Sequence, residues 1–246
     1  MIRKVLSTAV VLLIAASFGA RAQYSADVIG GYNFSPDRRY ASFTLSSYGQ
    51  DSFGDTFARA DLNFAADHSS LASAYLEVAR TLNFWKGTSV EGLGVHAEFN
   101  GFLYMGNSNW LFGLDYTLPV KDLFKLSIMY KTFNGSARSK VPVQLSLLWD
   151  MKDLGNVRGL EFRGQAKAWG ETTDYWYGDS VPVLTGSSKK DTAYFTVKAT
   201  PQIWYAVGQF FGWDGLSLGG ELELSYNYLG CRGFHARPFA ALRFSF

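Results

Sequence analysis

The chain has 246 residues, a length that a single β-barrel domain commonly fills. Its 23 basic and 21 acidic residues nearly balance, which excludes the strong basic excess of a protein that follows nucleic-acid phosphates. A mean hydropathy of -0.03 excludes a bundle of membrane helices, whereas 17% aromatic residues favour strands.

The N-terminus has the order of a secretory signal peptide. Arg3 and Lys4 supply positive charge, an apolar stretch over 5–20 follows, and the segment ends on an A-x-A cleavage site. The apolar core is shorter than the about 20 residues of a membrane-spanning helix. We therefore predict a signal peptide over 1–22, Sec export, and a mature domain over 23–246; a retained anchor is the alternative.

Apolar and polar residues alternate with period two along the mature chain, the pattern of strands with two unlike faces. In the clearest segment, 216–228, apolar residues hold the even positions and polar residues the odd ones. The predicted strands are 26–34, 40–48, 57–67, 71–84, 93–104, 110–118, 126–132, 143–150, 160–168, 195–205, 216–228 and 234–246. About twelve strands of roughly ten residues are what an antiparallel transmembrane β-barrel requires.

The faces of these strands favour a lipid environment over a soluble β-sandwich. The apolar faces are continuous, and Trp and Tyr stand at strand ends, as in the aromatic girdles at membrane interfaces. The polar faces carry both signs of charge in mid-strand, which suits a wet lumen. We predict an all-β barrel in the outer membrane of a Gram-negative bacterium, with a secreted lectin-like sandwich as the less favoured alternative.

Two segments need a separate interpretation. Strict alternation places Arg80 among apolar residues, so we expect either a β-bulge or a position near the membrane interface. The longest connection, predicted over 171–191, falls outside the cell if both termini are periplasmic. It is either a lid over the mouth or, as we favour, a solvated loop.

Several segments carry a resemblance to a known family: YLEVARTLNFW at 75–85, AEFNG at 97–101, WLFGLDY at 110–116, PQIWY at 201–205 and GELELSYN at 220–227. They resemble the Tsx-type nucleoside-specific channels, and most of all a branch of small outer-membrane proteins within that family. The resemblance implies a narrow, monomeric, twelve-stranded barrel that passes nucleosides or similar small solutes down their gradient.

This sequence departs from the better-known branch of that family at one position. Glu77 resembles a carboxylate that is followed there by a second one two residues later, but Ala79 stands at the second position here. The resemblance therefore does not imply an unchanged nucleoside site.

A nucleoside channel needs flat surfaces for the base and polar groups for the sugar, and stacking one base on a ring is worth about 1–3 kcal/mol. Strand parity predicts which aromatic and charged side chains line the lumen. The candidate solute contacts are Tyr75, Glu77, Glu98, Phe102, Arg163, Lys167, Trp169, Lys198, Trp204, Glu221, Glu223, Arg237, Phe239 and Arg243.

The alternative for the charged members of this set is mutual pairing inside a plugged lumen. A turn near 230–233 would bring Glu221 opposite or diagonal to Arg243, and we predict that these two form an ion pair. For Arg163 and Lys167, pairing and solute contact remain equally open.

Enzyme chemistry has little support in the sequence. The three histidines, His68, His96 and His235, lie in no His-x-Ser-Asn pattern, and with one Cys they form no metal-site spacing. We predict no catalysis, no metal and no cofactor, with membrane lipid and a small solute as the partners. The alternatives are a non-transporting structural or surface-binding barrel and, less favoured, a lipid-modifying outer-membrane enzyme.

Overall fold

The computed structural model describes residues 23–36, 38–65, 70–103, 108–120, 123–133, 139–175, 191–229 and 231–246. The predicted signal peptide and His68 lie outside these ranges. Within them the chain forms twelve strands: β1 Gln23–Asn33, β2 Tyr40–Asp51, β3 Gly54–Phe64, β4 Leu71–Leu82, β5 Leu93–Leu103, β6 Asn109–Thr117, β7 Leu123–Lys131, β8 Val143–Lys152, β9 Leu160–Tyr175, β10 Asp191–Tyr205, β11 Leu216–Tyr226 and β12 Phe234–Ser245.

The strands form one closed antiparallel barrel in which each strand pairs with its neighbours in the chain. β1 also pairs with β12, from Asp27 opposite Ser245 to Asn33 opposite Phe239, and this pairing removes both sheet edges. The predicted all-β barrel is confirmed. Short 3-10 turns occur at Leu154–Asn156 and Val207–Phe210, and no helix in the described ranges is both long and apolar enough to cross a membrane.

The two faces of the barrel have opposite chemistry. Large apolar side chains are exposed on the outside, among them Trp110 at 49%, Ile128 at 54% and Leu145 at 54%. The buried inner positions are mainly polar or charged, as with Gln144 at 2% and Asp115 at 1% exposed. The alternation in the sequence therefore separates an apolar exterior from a polar interior. We call the end that holds Phe246 and the start of β1 the near end, and the opposite end the far end.

Two predictions of local structure are settled by the strand register. The predicted long connection starts too early, because β9 continues to Tyr175, which pairs with Asp191. Residues 171–175 are strand although the alternation of apolar and polar residues ends before them, so the apolar signal stops before the pairing does. The remainder of that connection, 176–190, lies outside the described residues.

Arg80 lies on the outer face, two residues before β4 ends at the near end of the barrel. No β-bulge is needed to place it there. Its Nη1 donates to Thr56 Oγ1 at 2.7 Å and its Nη2 to Asp51 Oδ1 at 2.9 Å. The register between β3 and β4 is continuous there and shifts only between Asn63 and Phe64. Of the two predicted explanations, the position close to the strand end is the one that the structure supports.

Candidate functional site

The inner face of the barrel collects the charged and aromatic candidates. Contacts across the barrel define this face: Lys167 of β9 reaches Glu77 of β4, and Arg163 of β9 reaches Asp27 of β1. Because side chains alternate along a strand, these contacts fix the inward parity of every strand that takes part. All fourteen predicted residues have this inward parity, and their role in solute contact remains a prediction.

A three-way ion pair crosses the barrel at mid-height. Lys167 Nζ lies 3.2 Å from Glu77 Oε1 and 3.3 Å from Glu98 Oε1, and these carboxylates come from the adjacent strands β4 and β5. Tyr75 OH lies 2.6 Å from Glu77 Oε2 and 2.6 Å from Asn100 Oδ1. The side chains of Glu77 and Glu98 are only 5% and 4% exposed, so water screens this bridge little. We call Lys167, Glu77 and Glu98 the central bridge.

Aromatic rings flank the central bridge toward the far end. Phe102 packs on Tyr75, with 4.8 Å between the ring centroids. Trp169 is 8% exposed and lies beneath Lys131, whose Nζ is 4.0 Å from the ring centroid. Tyr228 meets Trp169 edge-on at 6.0 Å. These rings give the interior flat apolar surfaces beside its charges.

His96 lies between two carboxylates on the near-end side of the central bridge. Its Nδ1 is 2.8 Å from Asp115 Oδ2, and its Nε2 is 3.2 Å from Glu98 Oε2. Thr81 Oγ1 donates to the same Asp115 oxygen at 2.6 Å. Thr81 Oγ1 also lies 3.2 Å from His96 Nδ1, so this nitrogen faces both a hydroxyl and a carboxylate. In the described ranges no cluster of three or more His, Cys, Asp or Glu side chains could hold a metal ion.

Trp204 anchors a second network near the near end. Its side chain is 1% exposed, and its Nε1 donates to Gln202 Oε1 at 3.0 Å. The Arg243 guanidinium lies over its ring at 4.8 Å from the centroid. Gly219 of β11 lies against this part of β10, because a Cβ there would overlap the Ile203 carbonyl oxygen and lie 2.8 Å from the indole. A larger residue at this glycine would therefore require the backbone of β10 to shift as well as the indole.

The predicted ion pair between Glu221 and Arg243 is wrong. Glu221 lies opposite Phe239, and its Oε2 accepts from Gln202 Nε2 at 2.6 Å. Arg243 instead donates from Nη1 to Glu161 Oε1 at 3.0 Å. Both side chains point inward as predicted, but Phe239, the residue opposite Glu221, lies four residues before Arg243 on β12.

Glu223 lies where three cations meet. Its carboxylate is 2.8 Å from Arg237 Nη1, 3.1 Å from Arg38 Nη1 and 3.4 Å from Lys198 Nζ. Sequence reasoning missed Arg38, which lies in the connection between β1 and β2 and so has no strand parity. It also missed Asp27 of β1, because the neighbouring inward residue Ile29 weakens the alternation there.

The inward charges are distributed unevenly around the barrel. Among the described strand residues, the buried or half-buried inward carboxylates of β1–β6 are Asp27, Asp55, Asp61, Glu77, Glu98 and Asp115. The only inward Lys or Arg among the described residues of these six strands is Arg59. On β7–β12 the buried or half-buried inward cations are Lys125, Lys131, Arg163, Lys167, Lys198, Arg237 and Arg243. The inward carboxylates on that side are Asp150, Glu161, Glu171, Glu221 and Glu223. We call β1–β6 the acidic half and β7–β12 the basic half.

The fold and the interior together define a class: a closed twelve-stranded antiparallel barrel with an ion-paired polar interior and an apolar exterior. The chain belongs to the family described as "Domain of unknown function (DUF5020)", whose model matches residues 27–246. No curated protein gives a significant match.

The chain is also similar to a solved structure. One matching chain comes from work described as "Unveiling the Mechanism Behind the in-meso Crystallization of Membrane Proteins". It is 12% identical, with a TM-score of 0.47, and the alignment covers 91% of this chain and 83% of that one. Neither this match nor the family description names a Tsx-type channel.

Proposed function

We propose that the protein is a monomeric outer-membrane channel through which small polar solutes diffuse without chemical change. The observation that carries this proposal is the reversal of the two faces, with apolar side chains outside and charged side chains inside. Water penalises an exposed apolar band of this extent, whereas hydrocarbon accepts it. Closure of the barrel satisfies the backbone hydrogen bonds that hydrocarbon cannot.

Exposed aromatic residues in the near-end turns support the same location. Phe53 follows β2 at 66% exposure, Phe84 follows β4 at 65%, and Phe211 and Trp213 follow β10 at 71% and 64%. Aromatic side chains at this level fit the interface between lipid and water. We infer that these turns lie at the periplasmic surface of the membrane.

Nucleosides are the first solutes to test. The rings of Tyr75, Phe102 and Trp169 offer stacking surfaces beside the polar groups of the central bridge, and the resemblance to Tsx-type channels points to the same class. Ala79 faces inward at 7% exposure and offers no second carboxylate, so the proposal extends to other small polar solutes.

Conductance measurements test the channel. Purified protein in planar bilayers is expected to give small current steps that added nucleoside reduces, since a bound solute occupies the narrow pathway. Phe102→Ala should weaken the reduction, while Phe112→Ala, on the outer face at 50% exposure, should not. Silent bilayers from folded, heat-modifiable protein would rule out the channel.

A non-transporting barrel is the second candidate, favoured by the central bridge itself. Lys167 links β9 to β4 and β5 across the interior and so restricts passage. In this case the function lies in the far-end connections. Deleting 176–190 should then remove binding of a surface partner, and bilayers with the intact protein should show no steps.

A further inference from the structure

The ion pairs that Lys167 and Arg163 form across the barrel share one polarity. Lys167 pairs with Glu77 and Glu98, and Arg163 pairs with Asp27 at 2.9 Å. In each pair the cation comes from the basic half and the carboxylate from the acidic half.

A further ion pair, closer to the near end of the barrel, has the same polarity. Lys125 Nζ of β7 lies 2.9 Å from Asp55 Oδ1 of β3, four strands away. Arg38 reverses this order, but it belongs to the connection after β1 and reaches Glu223 from the far end. Arg59 of β3 also reverses the order through its electrostatic interaction with Glu221 of β11. The direct ion pairs of Lys167, Arg163 and Lys125 nevertheless set carboxylates of β1, β3, β4 and β5 against cations of β7 and β9.

A solute that moves along this interior must separate charges that are now paired. Lys167 and both of its carboxylates are nearly enclosed, and a buried charge without a partner is costly. An uncharged solute that parts the central bridge leaves both signs unpaired. A solute with one charge leaves one sign unpaired.

A solute with both charges can replace both partners. Its carboxylate takes the place of Glu77 and Glu98 beside Lys167, and its ammonium group takes the place of Lys167 beside those carboxylates. Every buried charge then keeps a partner during passage. The opposed charges of these strands also orient such a dipolar molecule, with its carboxylate toward β9 and its ammonium group toward β4 and β5.

We infer that the preferred solutes are small zwitterions, molecules of the α-amino-acid class that carry an ammonium and a carboxylate together. This inference rests on the proposed channel function and narrows its solute class. It ranks zwitterions above uncharged nucleosides, because a nucleoside stacks on the rings but cannot replace either partner of the central bridge.

Four molecules of equal heavy-atom count test the inference on the unmodified protein: alanine, lactate, alaninamide and lactamide. At neutral pH they are respectively a zwitterion, an anion, predominantly a cation, and a neutral molecule. Efflux from preloaded proteoliposomes, measured by mass spectrometry, is expected to be at least about tenfold faster for alanine than for lactamide, with the other two between them. Thymidine is measured in parallel.

Neutralising the central bridge should remove this preference. In Lys167→Met with Glu77→Gln and Glu98→Gln, lactamide efflux should rise and the ratio of alanine to lactamide should approach one. The control is Arg80→Met with Asp51→Asn, which removes an ion pair on the outer face and should keep the wild-type ratio. Lys167→Arg, which retains the positive charge, should also keep the preference.

The outcomes separate the inference from the channel function. Equal efflux of the four molecules, or faster efflux of lactamide or thymidine than of alanine, overturns the zwitterion preference and leaves a channel. Absence of efflux together with silent bilayers overturns both. The wild-type comparison needs no variant, so it decides the matter even if the neutralised barrel does not fold.

Discussion

Glu223 is a carboxylate on which the packing of three cations depends. Arg237 is 1% exposed and Arg38 is 9% exposed, so both rely on a protein counter-charge more than on water. Glu223→Gln keeps the shape of the side chain and removes that charge. We expect the free energy of unfolding to fall by about 3–5 kcal/mol, because removing one charge from a buried ion cluster is strongly destabilising.

Urea titration of the barrel in lipid vesicles measures this change. Glu91→Gln is the matched control, since Glu91 is exposed in the turn between β4 and β5 and should change the free energy of unfolding by less than about 0.5 kcal/mol. If Glu223→Gln and Glu91→Gln unfold alike, the three-cation cluster does not stabilise the barrel.

For single residues, period-two alternation predicts the face of a side chain better than its partner. Period-two alternation places Glu221 and Arg243 inward, and the structure agrees. Their predicted pairing failed because β11 and β12 pair about a turn centred at 230, closer to β11 than expected. Shifting a turn centre by two residues moves the partner by four, which preserves parity and changes the contact.

Partners across the interior lie beyond sequence reasoning for a different reason. Lys167 meets Glu77 and Arg163 meets Asp27 because of the strand order around the closed barrel and the stagger between strands. The stagger accumulates over many pairings, so no local spacing encodes it. Arg38 lies outside the strands, where alternation provides no signal.

At the scale of the element, β7 tests whether the outer face meets lipid. Ile128 lies outward near the middle of Leu123–Lys131 and is 54% exposed. Ile128→Lys should lower the free energy of unfolding from bilayers by about 2–4 kcal/mol, the cost of a charge at mid-membrane depth. Equilibrium folding into phospholipid vesicles is the measurement.

The control for β7 is in the turn that precedes it. Val120 is 56% exposed between β6 and β7, where Val120→Lys should cost no more than about 1 kcal/mol. A soluble barrel would tolerate lysine equally well at both positions. Equal tolerance would therefore contradict a lipid-facing exterior.

Elements were predicted best where one face is continuously apolar. β11 and β12 were located within two residues because their outward positions are nearly all apolar. The extent of β9 was underestimated, since Gly170 and the polar residues after it give no apolar alternation. Backbone pairing with β10 continues there without an apolar face to reveal it.

For the whole molecule, closure is the feature to test. Val28 of β1 and Phe244 of β12 are paired and both face outward. In a Cys231→Ser background, Val28→Cys with Phe244→Cys should form a disulfide under mild oxidation, because directly opposed Cβ atoms about 4.5–5.5 Å apart need only a small backbone shift to reach the about 3.5–4.5 Å of a disulfide. Mass spectrometry of the non-reduced protein detects the link.

Val28→Cys with Leu224→Cys is the control for closure, because β11 is not adjacent to β1. That pair should remain reduced. A link in the control, or none in the test pair, would show that the sheet closes differently or stays open. The number of strands could be predicted from segment count and length, whereas the stagger at closure could not.

The seam between the first and last strands also bears on how the protein assembles. Ser245 Oγ donates to Asp27 Oδ1 at 2.6 Å, which joins residues 218 positions apart in the chain. Bringing such distant segments together carries a large entropic cost, so sealing the cylinder is expected to be a late and slow event in folding. A chain truncated before this final segment would present two bare edges to hydrocarbon, an attractive template for aggregation or for a folding helper that supplies a temporary strand.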